Sequence, residues 1–146
     1  MHLQIERREN EGITVLDLKG RVVLGPEDAF LREQVLSLTA SGIKNAILNL
    51  KDVAHIDTAG IGTLIFCTEK FKGAGGKLVL VSLNADQVSI ANALRLETSL
   101  ILYPNELDAV NSFFPDRAVP HYDILEVVEQ IKARKSTDSN PEAKKK

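Results

Sequence analysis

The stretch Leu48-Asn49-Leu50-Lys51-Asp52-Val53-Ala54-His55-Ile56-Asp57-Thr58-Ala59-Gly60-Ile61-Gly62-Thr63-Leu64-Ile65 decides the fold. It reads as a buried strand that ends in a polar turn, from which a helix starts. The run Ala46-Ile47-Leu48-Asn49-Leu50 is short, apolar and rich in branched residues, as expected of a strand covered on both faces. Asp57 and Thr58 are both good N-cap types, able to satisfy the orphan amides of a first helical turn. Gly60 and Gly62 inside that turn are anomalous, because each glycine costs a helix interior about 1 kcal/mol relative to alanine. Two explanations fit: tight packing of the helix on the strand, or close backbone approach by a partner or an anion.

Working outward, Leu3-Gln4-Ile5-Glu6 and Ile13-Thr14-Val15-Leu16-Asp17-Leu18 alternate around the turn Asn10-Glu11-Gly12 and predict a hairpin. Gly20-Arg21-Val22-Val23-Leu24-Gly25-Pro26 reads as a loop into a helix. Pro26 suits the first helical position there, and Glu27 and Asp28 sit where the dipole favours acids. Phe30, Leu31, Val35 and Leu38 share one face of that helix, and Ser41-Gly42 ends it. Beyond the central turn, Ile61, Leu64, Ile65, Thr68 and Phe71 follow helical spacing, and Gly73-Ala74-Gly75-Gly76 stops the helix. Lys77-Leu78-Val79-Leu80-Val81 then completes a strand-helix-strand unit, expected to be parallel. A third helix opens at Asn84 or Ala85 with Val88, Ala91 and Leu94 on one side. Ile101-Leu102-Tyr103 is a last short strand, and a last helix runs through Leu107, Val110, Phe113 and Phe114.

This gives an α/β domain over residues 1–114, with a mixed sheet of four to five strands and about four helices. Residues 115–135 form a linker with Pro115 and Pro120, then an amphipathic helix bearing Ile124, Val127, Val128 and Ile131. That helix lies either on its own domain or in a contact such as a homodimer. Residues 136–146 have the composition of a disordered basic tail.

Composition narrows the function. No apolar run approaches the roughly 20 residues of a membrane helix and no signal sequence follows Met1, so a cytoplasmic protein is expected. The net charge is −2, but residues 132–146 carry +4, leaving −6 on the body. An acidic body with two tyrosines and no tryptophan argues against direct nucleic-acid binding. The single cysteine, Cys67, excludes a disulfide framework and a cysteine metal cluster, and no His, Asp or Glu pair has metal spacing with a third ligand.

Several motifs fail on context. Gly73-Ala74-Gly75-Gly76-Lys77 joins a helix to a strand, the reverse of a phosphate-binding loop. Gly60-Ile61-Gly62 lacks the third glycine of a dinucleotide fingerprint, with Ile65 in its place. Asp57-Thr58-Ala59-Gly60 matches the magnesium-side motif of small GTPases, yet no phosphate loop precedes it. His55 is close to Thr58 in sequence but has no third partner for nucleophilic catalysis. What remains is the Thr58 hydroxyl at a helix start beside an acid, which is either an N-cap or a site where phosphate would abruptly change a surface.

On Leu16-Asp17-Leu18-Lys19-Gly20-Arg21, on Ala46-Ile47-Leu48-Asn49-Leu50 with Val53, on Gly75-Gly76-Lys77-Leu78, and above all on Ile56-Asp57-Thr58-Ala59-Gly60-Ile61-Gly62, the sequence resembles the STAS domain family. Within that family it is similar to the bacterial anti-sigma-factor antagonists, over about residues 3–114. The resemblance implies a non-enzymatic regulator of transcription without a cofactor. Thr58 would be phosphorylated by a serine/threonine kinase that is also the anti-sigma factor, and a phosphatase would reset it. The partner-binding surface would comprise Asp57, Thr58, Ala59, Gly60, Ile61, Gly62 and Arg21. The rival from another class is a STAS scaffold subunit of a stress-sensing assembly or of a lipid-transport complex at the membrane.

Overall fold

The structure is a computed structural model that describes residues 2–93 and 100–119. Five strands form one mixed sheet in the order β1 (Leu3–Asn10), β2 (Ile13–Val22), β3 (Asn45–Ile56), β4 (Lys77–Val81) and β5 (Leu102–Tyr103). β1 pairs antiparallel with β2 through the expected hairpin, and every other neighbouring pair is parallel. The parallel steps need crossovers, supplied by α1 (Pro26–Ala40) between β2 and β3, α2 (Thr58–Gly73) between β3 and β4, and α3 (Ala85–Ala93) after β4. A one-and-a-half-turn helix, α4 (Glu106–Asn111), follows β5.

Side chains alternate across the sheet and give it two apolar faces. Leu16 and Leu18 of β2 and Leu48 and Leu50 of β3 join Leu31 and Val35 of α1 and Ile61, Leu64 and Phe71 of α2 in the larger core. Ile13, Val15, Ile47, Val79 and Val81 point the other way, onto Ala109 and Val110 of α4. On that second face Arg8 bridges Asp17 of β2 (Nε to Oδ2, 2.6 Å) and Glu106 of α4 (Nη1 to Oε2, 2.8 Å), fastening α4 to the hairpin. The sequence 73–77 is a helix stop: Gly75 takes φ +82°, and the Gly76 N–H returns to the Phe71 carbonyl at 2.8 Å.

Three expectations change. Residues 20–22 are strand rather than loop, because β2 continues beside an equally extended β3, with Arg21 opposite His55 and Val22 opposite Ile56. That also lengthens β3 well past residue 50, to Ile56. The last helix stops at Asn111, short of Phe113 and Phe114, and its Leu107 is 68% exposed because so short a helix buries only Ala109 and Val110. The proposed third-helix residue Leu94 and the appended helix with its tail lie outside the described residues, apart from the start of the linker.

Candidate functional site

β2 and β3 run parallel and end together, so the starts of α1 and α2 are neighbours at the carboxyl edge of the sheet. This is where open parallel sheets place their binding sites. Asp57 is the N-cap of α2, and its Oδ1 accepts the Gly60 N–H at 2.7 Å. Its Oδ2 accepts the Leu24 N–H from the β2–α1 loop at 3.1 Å. One carboxylate therefore holds the first turn of α2 and the neighbouring loop together. The backbone adds to this, as the Asp57 N–H reaches the Val22 carbonyl at 3.4 Å.

Thr58 follows as the first residue of α2, and it is exposed. The cap role falls to Asp57, leaving the threonine hydroxyl at the surface beside a carboxylate and above a helix N-terminus, where the dipole favours negative charge.

The two glycines of the turn differ in kind. A Cβ on Gly60 would lie 2.0 Å from the Val22 carbonyl oxygen and 2.8 Å from Ile56 Cγ2, so this glycine is required by internal packing of α2 on the sheet. A Cβ on Gly62 would meet nothing within 4 Å, and Gly62 is exposed. Of the seven residues expected at the partner surface, Thr58, Gly62 and Arg21 are exposed, Asp57 and Ala59 are half-buried, and Gly60 and Ile61 face inward. Arg21 sits at the end of β2, opposite His55, and its charge acts on Glu27 at the start of α1.

Three features here were not anticipated from the sequence. Leu24, in the loop that Asp57 grips, is 73% exposed. Asp28 is 5% exposed, and its Oδ1 accepts the Gly25 N–H at 3.1 Å from the same loop. Thr63 is 2% exposed, with Oγ1 3.1 Å from the Ala59 carbonyl and 3.5 Å from Asp28 Oδ2. The pair of acids after Gly25-Pro26 signals a helix start in the sequence, but nothing local reveals that one of them is buried against a threonine 35 positions on.

Cys67 is fully buried on the inner side of α2, and burial pushes its thiol up to about 12, so it is packing and offers no thiolate. Among the described residues no group of three or more His, Cys, Asp or Glu side chains is placed to hold a metal ion, and no helix is long and apolar enough to cross a membrane.

Solved structures share this architecture. An anti-sigma factor antagonist from Mycobacterium paratuberculosis is 18% identical, with TM-score 0.65, over 75% of this chain and 92% of that one. The Bacillus cell fate determinant SpoIIAA in its phosphorylated form is 15% identical, with TM-score 0.58, over 76% of this chain and 98% of that one. A murine Solute Carrier 26 family member A9 anion transporter matches at 21% identity and TM-score 0.58, but this chain covers only 18% of it. At such identities these likenesses speak for the fold. The STAS domain family model matches residues 4–109, from the first strand through α4, and with the capped turn at its centre the chain belongs to the STAS domain family.

Proposed function

We propose that the protein is a bacterial, cytoplasmic anti-sigma-factor antagonist whose switch is Thr58. Unphosphorylated, it binds an anti-sigma-factor serine/threonine kinase and frees the sigma factor. Phosphorylation of Thr58 by that kinase ends the complex, and a phosphatase restores it. The observation that carries this reading is the exposed Thr58 hydroxyl at the first position of α2, with capping left to Asp57. An anti-sigma factor antagonist among its structural neighbours, and SpoIIAA in a phosphorylated form, lend it support.

The physics is direct. A phosphate adds about −1.5 to −2 charges at neutral pH. The α2 dipole tolerates that charge, whereas a partner docked over Thr58 and Asp57 meets like-charge repulsion and a desolvation cost. A coupling of about 3 kcal/mol lowers affinity more than about 100-fold. The test is titration of the purified kinase against Thr58→Ala and Thr58→Glu, with mass-spectrometric localisation of phosphate on the wild type. Phosphate on Thr58, retained binding by the alanine variant and lost binding by the glutamate variant are expected. Equal affinity of the two variants overturns the switch.

A further inference from the structure

We propose that Leu24 is a fixed apolar anchor that enters a pocket on the kinase docked around Thr58, with Asp28 and Thr63 as its positioning residues. The inference rests on the reading of Thr58 given above and names what the partner must offer.

Four successive residues of the chain before α1 are pinned through their backbone. The Val22 carbonyl accepts the Asp57 N–H at 3.4 Å, and the Val23 carbonyl accepts the Asp28 N–H at 3.2 Å. The Leu24 N–H goes to Asp57 Oδ2 and the Gly25 N–H to Asp28 Oδ1, each at 3.1 Å. Both carboxylates are tied back to the first turn of α2. Asp57 accepts the Gly60 N–H directly, and Asp28 Oδ2 lies 3.5 Å from the hydroxyl oxygen of Thr63, which is itself 3.1 Å from the Ala59 carbonyl oxygen. Hydrogen bonds to the Asp57 carboxylate thus join loop and helix, and the side chains of Asp28 and Thr63 behind the loop are almost wholly removed from water.

Burying a carboxylate is costly unless its hydrogen bonds are made, so Asp28 is an expensive way to hold a loop that carries nothing. What the loop carries is an exposed leucine side chain on a residue whose N–H is held by Asp57, the neighbour of Thr58 in the chain. An apolar side chain on a pre-ordered backbone loses little entropy on docking and gains the whole benefit of burial. The exposed backbone at Gly62 leaves room for a partner element on the other side of Thr58.

The test uses the purified kinase that phosphorylates Thr58, titrated by calorimetry with unphosphorylated variants. Leu24→Ala is expected to weaken binding about 10- to 100-fold with an unchanged melting temperature, and Leu24→Met by less than about threefold. Thr63→Val is expected to speed amide exchange at Leu24 and Gly25 and to weaken binding about threefold or more, with Thr63→Ser restoring both. Binding of Leu24→Ala equal to wild type overturns the anchor and leaves the Thr58 switch standing. Unchanged exchange in Thr63→Val removes the positioning role. Failure of the wild type itself to bind such a kinase overturns the proposed function, and the anchor with it.

Discussion

Gly60 and Gly62 stand two residues apart in the same helical turn and carry the same propensity cost, yet their surroundings differ. Gly60 faces inward, where any Cβ would strike the Val22 carbonyl. Gly62 faces outward into open space, and no contact within the described residues accounts for it. The inner side of the turn, Asp57, Gly60 and Ile61, is fully used by the fold. The outer side, Thr58, Gly62 and the neighbouring Leu24, is ordered by the fold but not consumed by it. Packing therefore explains the helix-propensity anomaly at Gly60 and does not explain it at Gly62, and only the third dimension separates the two.

The sharpest way to break the comparison is Gly60→Ala. The atom it would hit is a backbone carbonyl within a strand ladder, 2.0 Å from the new Cβ, so no rotamer change relieves the contact and α2 must shift off the sheet. A loss of about 3 kcal/mol is expected, a large part of the stability of a domain this size, read as a lowered urea midpoint. A midpoint equal to wild type would mean that the two glycines are equivalent after all.

What the sequence revealed and what it hid follows the same division between local and distant causes. The capping of α2, the hairpin turn and the helix stop at 73–76 rest on residues within a few positions of one another, and all three were legible; the parallel β3–α2–β4 unit, whose strands pair residues 32 apart, was legible through the order of its local elements and the chirality of such crossovers. The ends of β2 and β3 were not. Gly20 and the Gly25-Pro26 pair suggested a loop, and Lys51 and Asp52 broke the apolar run, while the ladder joining Arg21 to His55 and Val22 to Ile56 depends on residues 34 apart. The β2–α1 loop follows that extension, so the contact of the Leu24 N–H with Asp57, 33 positions on, left no trace in the sequence. Asp28 and Thr63 are likewise 35 apart, and Arg8 and Glu106 98 apart. Such pairings leave no periodic trace.

The far face of the sheet offers a control, since its polar cluster should affect stability and leave the outer side of the turn alone. Hydrogen bonds from Arg8 hold both Asp17 and Glu106 below their ordinary values of 3.8 and 4.5, and Arg8 itself is raised. A carboxyl whose folded pKa is depressed adds stability that is complete above its unfolded value and disappears as pH falls through its folded one. Stability should therefore be level from neutral pH down to about 5 and decline below about 4.5. Arg8→Met should cost about 1 kcal/mol at pH 7, discounted for solvent screening because Arg8 is 41% exposed, and should flatten the acid decline. Its affinity for the kinase should match wild type. An unchanged acid slope would show that the cluster adds nothing to folding.

The smallest expected effect is the most informative about the outer side. Gly62→Ala adds a methyl group to an exposed helix position with nothing within 4 Å, so it should stabilise the protein by about 0.8 kcal/mol, through lower backbone entropy in the unfolded chain and better helix propensity. The sign is opposite to that at Gly60, and a thermal melt reads it. If glycine is kept there for a partner's approach, the same variant binds the kinase more weakly while folding more stably, a split that damage to the fold cannot produce. If the alanine variant is more stable and binds equally well, the outer glycine has no role in recognition. Thr58 and Leu24 would then have to account for the surface between them, and the partner would approach from the β2–α1 loop rather than along α2.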